Sequence, residues 1–327
     1  MVPPDPPVVE VYLQPQDLAA ALAADVEDGL TARPKRLSPK WLYDPRGCQL
    51  FEAICDLPEY YQTRAERSIL VAHAADIARH CGTRTLVELG SGTSDKTRLL
   101  LDALAAQGTL ERFVALDVAE PTLRAALDGI AAAYPGLAAA GVVGDFERHL
   151  GHLPVSRHRL LVFLGGTIGN LDPMARADFL ATVAKVLQPG EWFLVGTDLV
   201  KDPARLVAAY DDAEGVTAAF DRNVLAVVNR ELNADFDLHR FSHVAVWDPD
   251  QEWIEMRLRA EVDQEITIER LGLSVGFTAG EELRTEISAK FHLAGITAEL
   301  AAAGLATVEQ WTDPPGDFAL TLARRAQ

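Results

Sequence analysis

Residues 86–100, Leu-Val-Glu-Leu-Gly-Ser-Gly-Thr-Ser-Asp-Lys-Thr-Arg-Leu-Leu, carry the densest chemistry in the chain. The apolar run 86–89 reads as the end of a buried strand, Gly90 and Gly92 as a tight turn, and the residues from 97 onward as a helix. Such a loop lets a ligand approach the backbone, and the helix N-terminus beyond it offers unpaired N–H groups and a partial positive charge. Which ligand it takes is narrowed by Asp95. A dinucleotide fingerprint needs a third glycine at that position, and a P-loop needs glycine before its Lys-Thr. Asp95 also puts an anion where phosphates would sit. The loop therefore suits a ligand without phosphates, or it is an ordinary strand-turn-helix corner with solvated charges.

The elements that must position this loop alternate. Strand-like runs at 85–89, 112–116, 141–144, 160–164 and 192–196 are separated by helical patterns at 97–106, 121–134 and 175–187. That alternation predicts a parallel sheet covered by helices on both faces, with the ligand at the carboxyl ends of the strands. Asp117 closes the second strand, where an acid accepts ribose hydroxyls in nucleotide-binding sheets, and Asp145-Phe146 follows the third, where a carboxylate and a ring suit an adenine base. Each alone could be a surface acid capping a helix. With Glu88 at the end of the first strand, three acids at successive strand ends favour an adenosyl ligand. After the fourth strand, Gly165, Gly166 and Gly169 again permit close backbone approach, and Asn170 can both donate and accept. No G-x-S-x-G elbow supports a hydrolase.

After Asp198 the pattern changes. Residues 201–230 read as helical, and 243–247, 252–261 and 264–269 as strands, with a turn at Asp248-Pro249-Asp250. A helix at 294–303 and strands at 306–311 and 317–323 could then complete the sheet. The expected division is an N-terminal helical segment (1–60) joining a substrate domain, a sheet core (61–198), an inserted substrate domain (199–289) and a C-terminal return to the core (290–327).

The chain has 327 residues, and 30 Lys and Arg against 48 Asp and Glu give a net charge of −18. At about 150 residues per domain this suggests two domains or one with an insertion. The charge argues against nucleic acid and anionic membranes as partners and fits a cytoplasmic protein with a small-molecule substrate. No apolar run reaches the roughly 18 residues of a membrane helix, and residues 1–7 read as a frayed tail without signal-peptide regions. Cys48, Cys55 and Cys81 form no C-x-x-C pair and are expected as buried or half-buried thiols. His239 and His243 have metal-pair spacing but no accompanying ligand pattern, so no metal is expected.

Taken together, Pro39-Lys-Trp-Leu-Tyr43-Asp44, Leu57-Pro-Glu-Tyr60-Tyr61-x-Thr63-Arg64-x-Glu66, the 88–97 loop, Gly169-Asn170, Gly196-Thr-Asp-Leu-Val-Lys201 and Trp311-Thr-Asp-Pro314 resemble the histidine-specific Nα-methyltransferases of ergothioneine biosynthesis. The likeness runs from about residue 30 to the C-terminus. The resemblance implies an α/β fold: a Rossmann-like S-adenosylmethionine-dependent methyltransferase sheet with a second, family-specific α+β substrate domain. The implied activity is trimethylation of the α-amino group of L-histidine to hercynine, with another amino acid or small amine as the alternative substrate. The cofactor is S-adenosyl-L-methionine, and a monomer is expected.

By the same resemblance Gly90, Lys96, Asp117, Asp145 and Phe146 contact the cofactor, Lys96 meeting its carboxylate from the first helical turn. Tyr60, Asn170 and Tyr210 hold the histidine backbone, and Glu286 and Ser288, flanking Ile287, read the imidazole. Met256 lines the ring pocket. Tyr43 and Asn170 are the catalytic pair at the amino group. Gly166 departs from an expected serine and could loosen its loop. Read without the family, Tyr60-Tyr61 could be core aromatics, Tyr210-Asp211-Asp212 a solvated helix end and Glu286 an exposed strand charge.

Overall fold

Runs of Val, Leu and Phe too apolar to face water on either side become the inner strands of the computed structural model, which describes residues 7–154, 156 and 158–326. The frayed tail expected over 1–7 therefore lies, apart from Pro7, outside the described residues. In chain order the elements are β1 (Val8–Val11), α1 (Pro15–Thr31), β2 (Lys35–Arg36), α2 (Pro45–Asp56), α3 (Gln62–Cys81), β3 (Thr85–Leu89), α4 (Arg98–Ala106), β4 (Arg112–Asp117), α5 (Glu120–Ala133), β5 (Ala138–Val143), β6 (Arg159–Phe163), α6 (Pro173–Val186) and β7 (Trp192–Asp198). There follow α7 (Pro203–Ala208), α8 (Val216–Leu232), β8 (Phe241–Asp248), β9 (Trp253–Ala260), β10 (Gln264–Ile268), β11 (Leu273–Phe277), β12 (Glu282–Ala289), α9 (Leu293–Ala302), β13 (Leu305–Thr312) and β14 (Phe318–Arg325). The chain forms two compact units, one from residues up to 13, 62–200 and 291 onward, the other from 14–61 and 201–290.

The first unit is an eight-stranded sheet of order β1-β5-β4-β3-β6-β7-β14-β13. Strands β1 to β7 of this sheet pair in parallel, and the expected C-terminal strands complete it, β14 antiparallel to β7 and β13 antiparallel to β14. β3, β6 and β7 are buried along their whole length. The sheet order reverses at β3, with β4 on one side and β6 on the other, and such a switch point opens a crevice at the strands' carboxyl ends. β1 is not foreseen in the sequence. It is a four-residue edge strand with Val8 64% exposed, held by its ladder to β5 and leaving little apolar pattern to read.

The second unit holds the sheet β2-β12-β9-β8 and the hairpin β10-β11. The stretch read as helical at 201–230 holds two helices, α7 and α8. Asp212 breaks it by accepting the N–H groups of Val216 and Thr217 at 2.9 and 2.7 Å, and Gly215 adopts φ 74°. β11 and β12 are not delimited as strands by the sequence, although Glu286 reads there as a strand charge. β12 carries Thr285, Glu286 and Ser288 at buried positions, so it lacks the apolar alternation that marks a strand.

Candidate active site

In the first unit the site begins with backbone geometry. Gly90 and Gly92 have φ of 63° and 47°, values that side chains rarely tolerate, and Gly90 N–H donates to the Leu116 carbonyl at 2.8 Å. Glu88, the last polar side chain of β3, is 5% exposed and accepts from Ser94 Oγ at 2.7 Å and from Thr97 Oγ1. Burial pushes its pKa up to about 7, against the opposing hydrogen bonds of Thr97 and Ser94 and the charge of Lys96. Asp117 braces the same loop, its two oxygens accepting from the N–H groups of Gly92 and Ala119 at 2.9 Å each. Burial raises its pKa while these N–H groups oppose the rise.

Asp145 sits one residue past Gly144 at the end of β5 and caps its own turn by accepting from Glu147 N–H at 2.9 Å. The half-buried Phe146 ring stands edge-on to Phe163 and Phe179, with centroids 5.0 and 5.7 Å away. Asn170 ends a 3-10 turn, Thr167–Asn170, and is half-buried. Gly166 caps that turn at φ 70°, where a serine would be strained, so glycine relieves the loop here rather than loosening it.

Lys96 differs from expectation in two ways. The helix α4 starts at Arg98, so Lys96 precedes it and does not lie in its first turn. Its ammonium also pairs with Glu66, a fully buried carboxylate on α3 whose oxygens accept from the Gly165 N–H at 2.8 and 3.0 Å. Glu66 thus joins the glycine loop to the loop after β6. A Cβ on Gly196 would stand 2.3 Å from Glu66 Oε1, which explains the glycine at 196. Glu66 closes a motif legible in the sequence, but nothing local signals its role.

In the second unit, Tyr43 follows the 3-10 turn Pro39–Leu42, and Asp44 caps α2 by accepting from Gly47 N–H at 2.8 Å. The Tyr43 ring is clamped edge-on between Phe51 and Phe220, at 5.5 and 5.4 Å. Tyr60 packs against Phe51 and Tyr210, at 6.1 and 6.3 Å. Burial, then the charge of Glu286, holds the Tyr43 phenol well above its usual range; burial, then Tyr210, does so for Tyr60. Both therefore remain neutral hydroxyls at physiological pH. Tyr210 Oη lies 2.7 Å from Ser288 Oγ. Glu286 and Ser288, each 7% exposed, share one face of β12, and Glu286 pairs across the ladder with Met256 of β9.

Tyr43, Tyr60, Tyr210, Met256, Glu286 and Ser288 are thus brought together, and Tyr60, Tyr210 and Glu286 are none of them surface residues. Ile287 is an exception. Strand alternation turns its side chain to the opposite face of β12, so it cannot line the same pocket through that side chain.

His243 is the other half of a pair the sequence reading missed. Its Nδ1 lies 2.7 Å from Asp221 Oδ2 and its Nε2 2.7 Å from the Tyr210 carbonyl, while His239 is exposed in a turn. Two acceptors on two ring nitrogens call for the imidazolium. Burial works to lower the His243 pKa, but Asp221 and the Tyr210 carbonyl overcome it and the net shift is upward. Asp221 also bonds Thr285, which lies 3.0 Å from the Met256 carbonyl. The acid that accompanies His243 lies 22 positions earlier, beyond the reach of a spacing rule. Of the cysteines, Cys48 and Cys55 are half-buried and Cys81 is buried, its thiol pushed up to about 12 by burial.

A reversed parallel sheet, a glycine loop after its central strand and acids at the following strand ends define a Rossmann-like methyltransferase that uses S-adenosylmethionine. The residues fit that group. A carboxylate has about four lone-pair sites, so Asp117 can brace the loop and still accept from ribose hydroxyls. More particularly, the chain belongs to the histidine-specific, SAM-dependent methyltransferase family, whose model matches residues 22–325. It is 57% identical over 314 residues to a histidine N-alpha-methyltransferase of Mycolicibacterium smegmatis, covering 96% of this chain and 98% of the relative. A protein of the same name from Mycobacterium tuberculosis is 55% identical, covering 93% and 95%. Ergothioneine biosynthesis protein 1 of Neurospora crassa is 35% identical over 60% of this chain and 23% of its own length. Among the described residues no helix is long and apolar enough to cross a membrane.

Proposed function

We propose that this enzyme transfers three methyl groups in succession from S-adenosylmethionine to the α-amino nitrogen of L-histidine, giving hercynine, the first step of ergothioneine biosynthesis. The observation that carries this reading is the buried polar face of β12. Glu286 and Ser288, with Tyr210 beside them, present a carboxylate and hydroxyls on one buried face, groups that suit a ring with its own donor and acceptor nitrogens and that an apolar side chain does not match. The names of the mycobacterial and fungal relatives support the same substrate and pathway.

The bound cofactor supplies an activated methyl on sulfur, and each transfer forms a C–N bond as the C–S bond breaks, with a proton lost from nitrogen. The chain's own task is to bind and orient. Gly90, Asp117, Asp145 and Phe146 hold the adenosyl group, and Lys96, steadied by Glu66, faces the methionine carboxylate. Tyr60, Asn170 and Tyr210 hold the histidine backbone. Tyr43 and Asn170 orient the amine, and because burial keeps Tyr43 a neutral hydroxyl it does not lock the amine in its charged form. Met256 and Glu286 border the ring. We further assign the protein to the cytoplasm as a monomer.

The test is incubation of the purified protein with labelled S-adenosylmethionine and each of the twenty amino acids, read by mass. Histidine alone gains mass, ending three methyl groups heavier. Comparable methylation of several amino acids would overturn the assignment.

A further inference from the structure

Lys290 directly follows β12 and carries no role in the reading above. It is 4% exposed, and its ammonium donates to Ser288 Oγ at 2.8 Å and to Tyr210 Oη at 2.9 Å, while those two hydroxyls lie 2.7 Å apart. An ammonium has donors and no acceptor, so it occupies a lone pair on each hydroxyl oxygen. In the Tyr210–Ser288 contact the phenol is the stronger acid, with a pKa of about 10 in its unperturbed form, and so the better donor. Ser288 Oγ then accepts twice, from Lys290 and from Tyr210. Both of its lone pairs are used, and what it has left to offer is its own O–H.

We propose that Lys290 is a specificity-determining positioning residue: it makes Ser288 a donor-only group, so that β12 reads a neutral imidazole by its one bare nitrogen and its one N–H. The proposal rests on histidine being the substrate. An ionised Glu286 only accepts, and it lies two residues from Ser288 on the same face of the strand. A neutral imidazole has one donor and one acceptor nitrogen, and the pair matches both. Imidazolium offers two donors, indole a donor without an acceptor, and phenyl neither. Without the cation, the two hydroxyls are free to rotate and Ser288 can present a lone pair instead. The hydrogen that distinguishes the rings is then no longer fixed.

The test compares kcat/KM for L-histidine with that for 2- and 3-pyrrolylalanine, which keep a five-membered ring and an N–H but lack the bare nitrogen. The wild-type protein should favour histidine by roughly a hundredfold, the upper range expected where a buried site group is left unsatisfied. Lys290→Met should narrow that preference at least tenfold, through a higher KM for histidine, with S-adenosylmethionine affinity unchanged by calorimetry. Ser288→Ala, which removes the donor itself, should narrow it to the same extent and decides the matter if Lys290→Met does not fold. An equal loss on histidine and pyrrolylalanine in either variant, leaving the preference intact, overturns the proposal and makes Lys290 structural. Failure of the wild-type protein to methylate histidine is a separate result that would overturn the substrate reading itself.

Discussion

Around the candidate site the two units differ in where their polar side chains mostly bond. In the first unit, Asp117, Asp145 and Glu66 spend their carboxylate oxygens largely on backbone N–H groups of Gly92, Ala119, Glu147 and Gly165, fixing loops at the ends of parallel strands. In the second, polar side chains bond one another across long stretches of sequence: Tyr210 with Ser288 and Lys290, Asp221 with His243 and Thr285. Backbone bracing suits a cofactor whose shape is constant and which many sheets of this type bind. A side-chain network suits discrimination, because each buried group penalises any ligand that leaves it unpaired. On the proposed function, holding the methyl donor and choosing its acceptor are separate problems, met by different kinds of structure.

The comparison breaks most visibly at the second unit's buried ion pair. Asp221→Ala leaves the His243 imidazolium unpaired and Thr285 without its carboxylate, and removal of one partner of a buried pair costs about 3–5 kcal/mol. Denaturant unfolding should register a loss of that order, and histidine KM should rise in whatever fraction remains folded. A loss below about 0.5 kcal/mol, the level of an ordinary surface substitution, would return the pair to the status of a solvated contact.

In the first unit the counterpart is Asp117→Ala. It removes both the brace on Gly92 and the acceptor proposed for the ribose hydroxyls, charge-assisted bonds contributing about 1.5–3 kcal/mol. Calorimetric titration should find S-adenosylmethionine binding weaker by roughly tenfold to a hundredfold. Unchanged affinity would mean that Asp117 serves the loop alone.

Smallest is a pH effect that sharpens the contrast. His243 has a folded pKa above its unfolded value of about 6.5. Its contribution is fully present below that value and is lost as pH rises through the folded pKa. Glu88, raised to about 7 from an unfolded value near 4.3, behaves with the same sign in a more acidic window, losing stability between those two values. Melting temperature should therefore decline in two stages as pH rises. His243→Gln should abolish the upper stage and Glu88→Gln diminish the lower, to which Asp117, also raised by burial, contributes with the same sign. A variant that leaves its own stage undiminished would contradict the assigned pairing.

How much of this was legible in the sequence follows the same division. Alternating apolar runs gave the parallel sheet, and Gly90, Asp117 and Asp145 stood out because each lies beside a strand end that periodicity marks. The C-terminal pair of strands was also readable as a completion of the sheet. The second unit resisted. β12 carries buried Thr, Glu and Ser in place of alternating apolar residues, and the break between α7 and α8 depends on Asp212 capping across a turn. Glu286 and Ser288 were named through the resemblance to a family, not through any local pattern. The roles of Lys290, Asp221 and Glu66 were not legible because each has a partner 80, 22 or 30 positions away, a distance that only the folded chain closes.

The proposed division, in which the second unit chooses the acceptor and the first holds the donor, is put to the test by Glu286→Ala, measuring the ratio of histidine to phenylalanine turnover with S-adenosylmethionine affinity determined on the same preparation. The account predicts that the ratio collapses by roughly a hundredfold while cofactor affinity stays within about threefold of wild type, because the carboxylate that penalises an unpaired ring is gone and the glycine loop is untouched. An unchanged ratio, or a parallel collapse of cofactor binding, would contradict it.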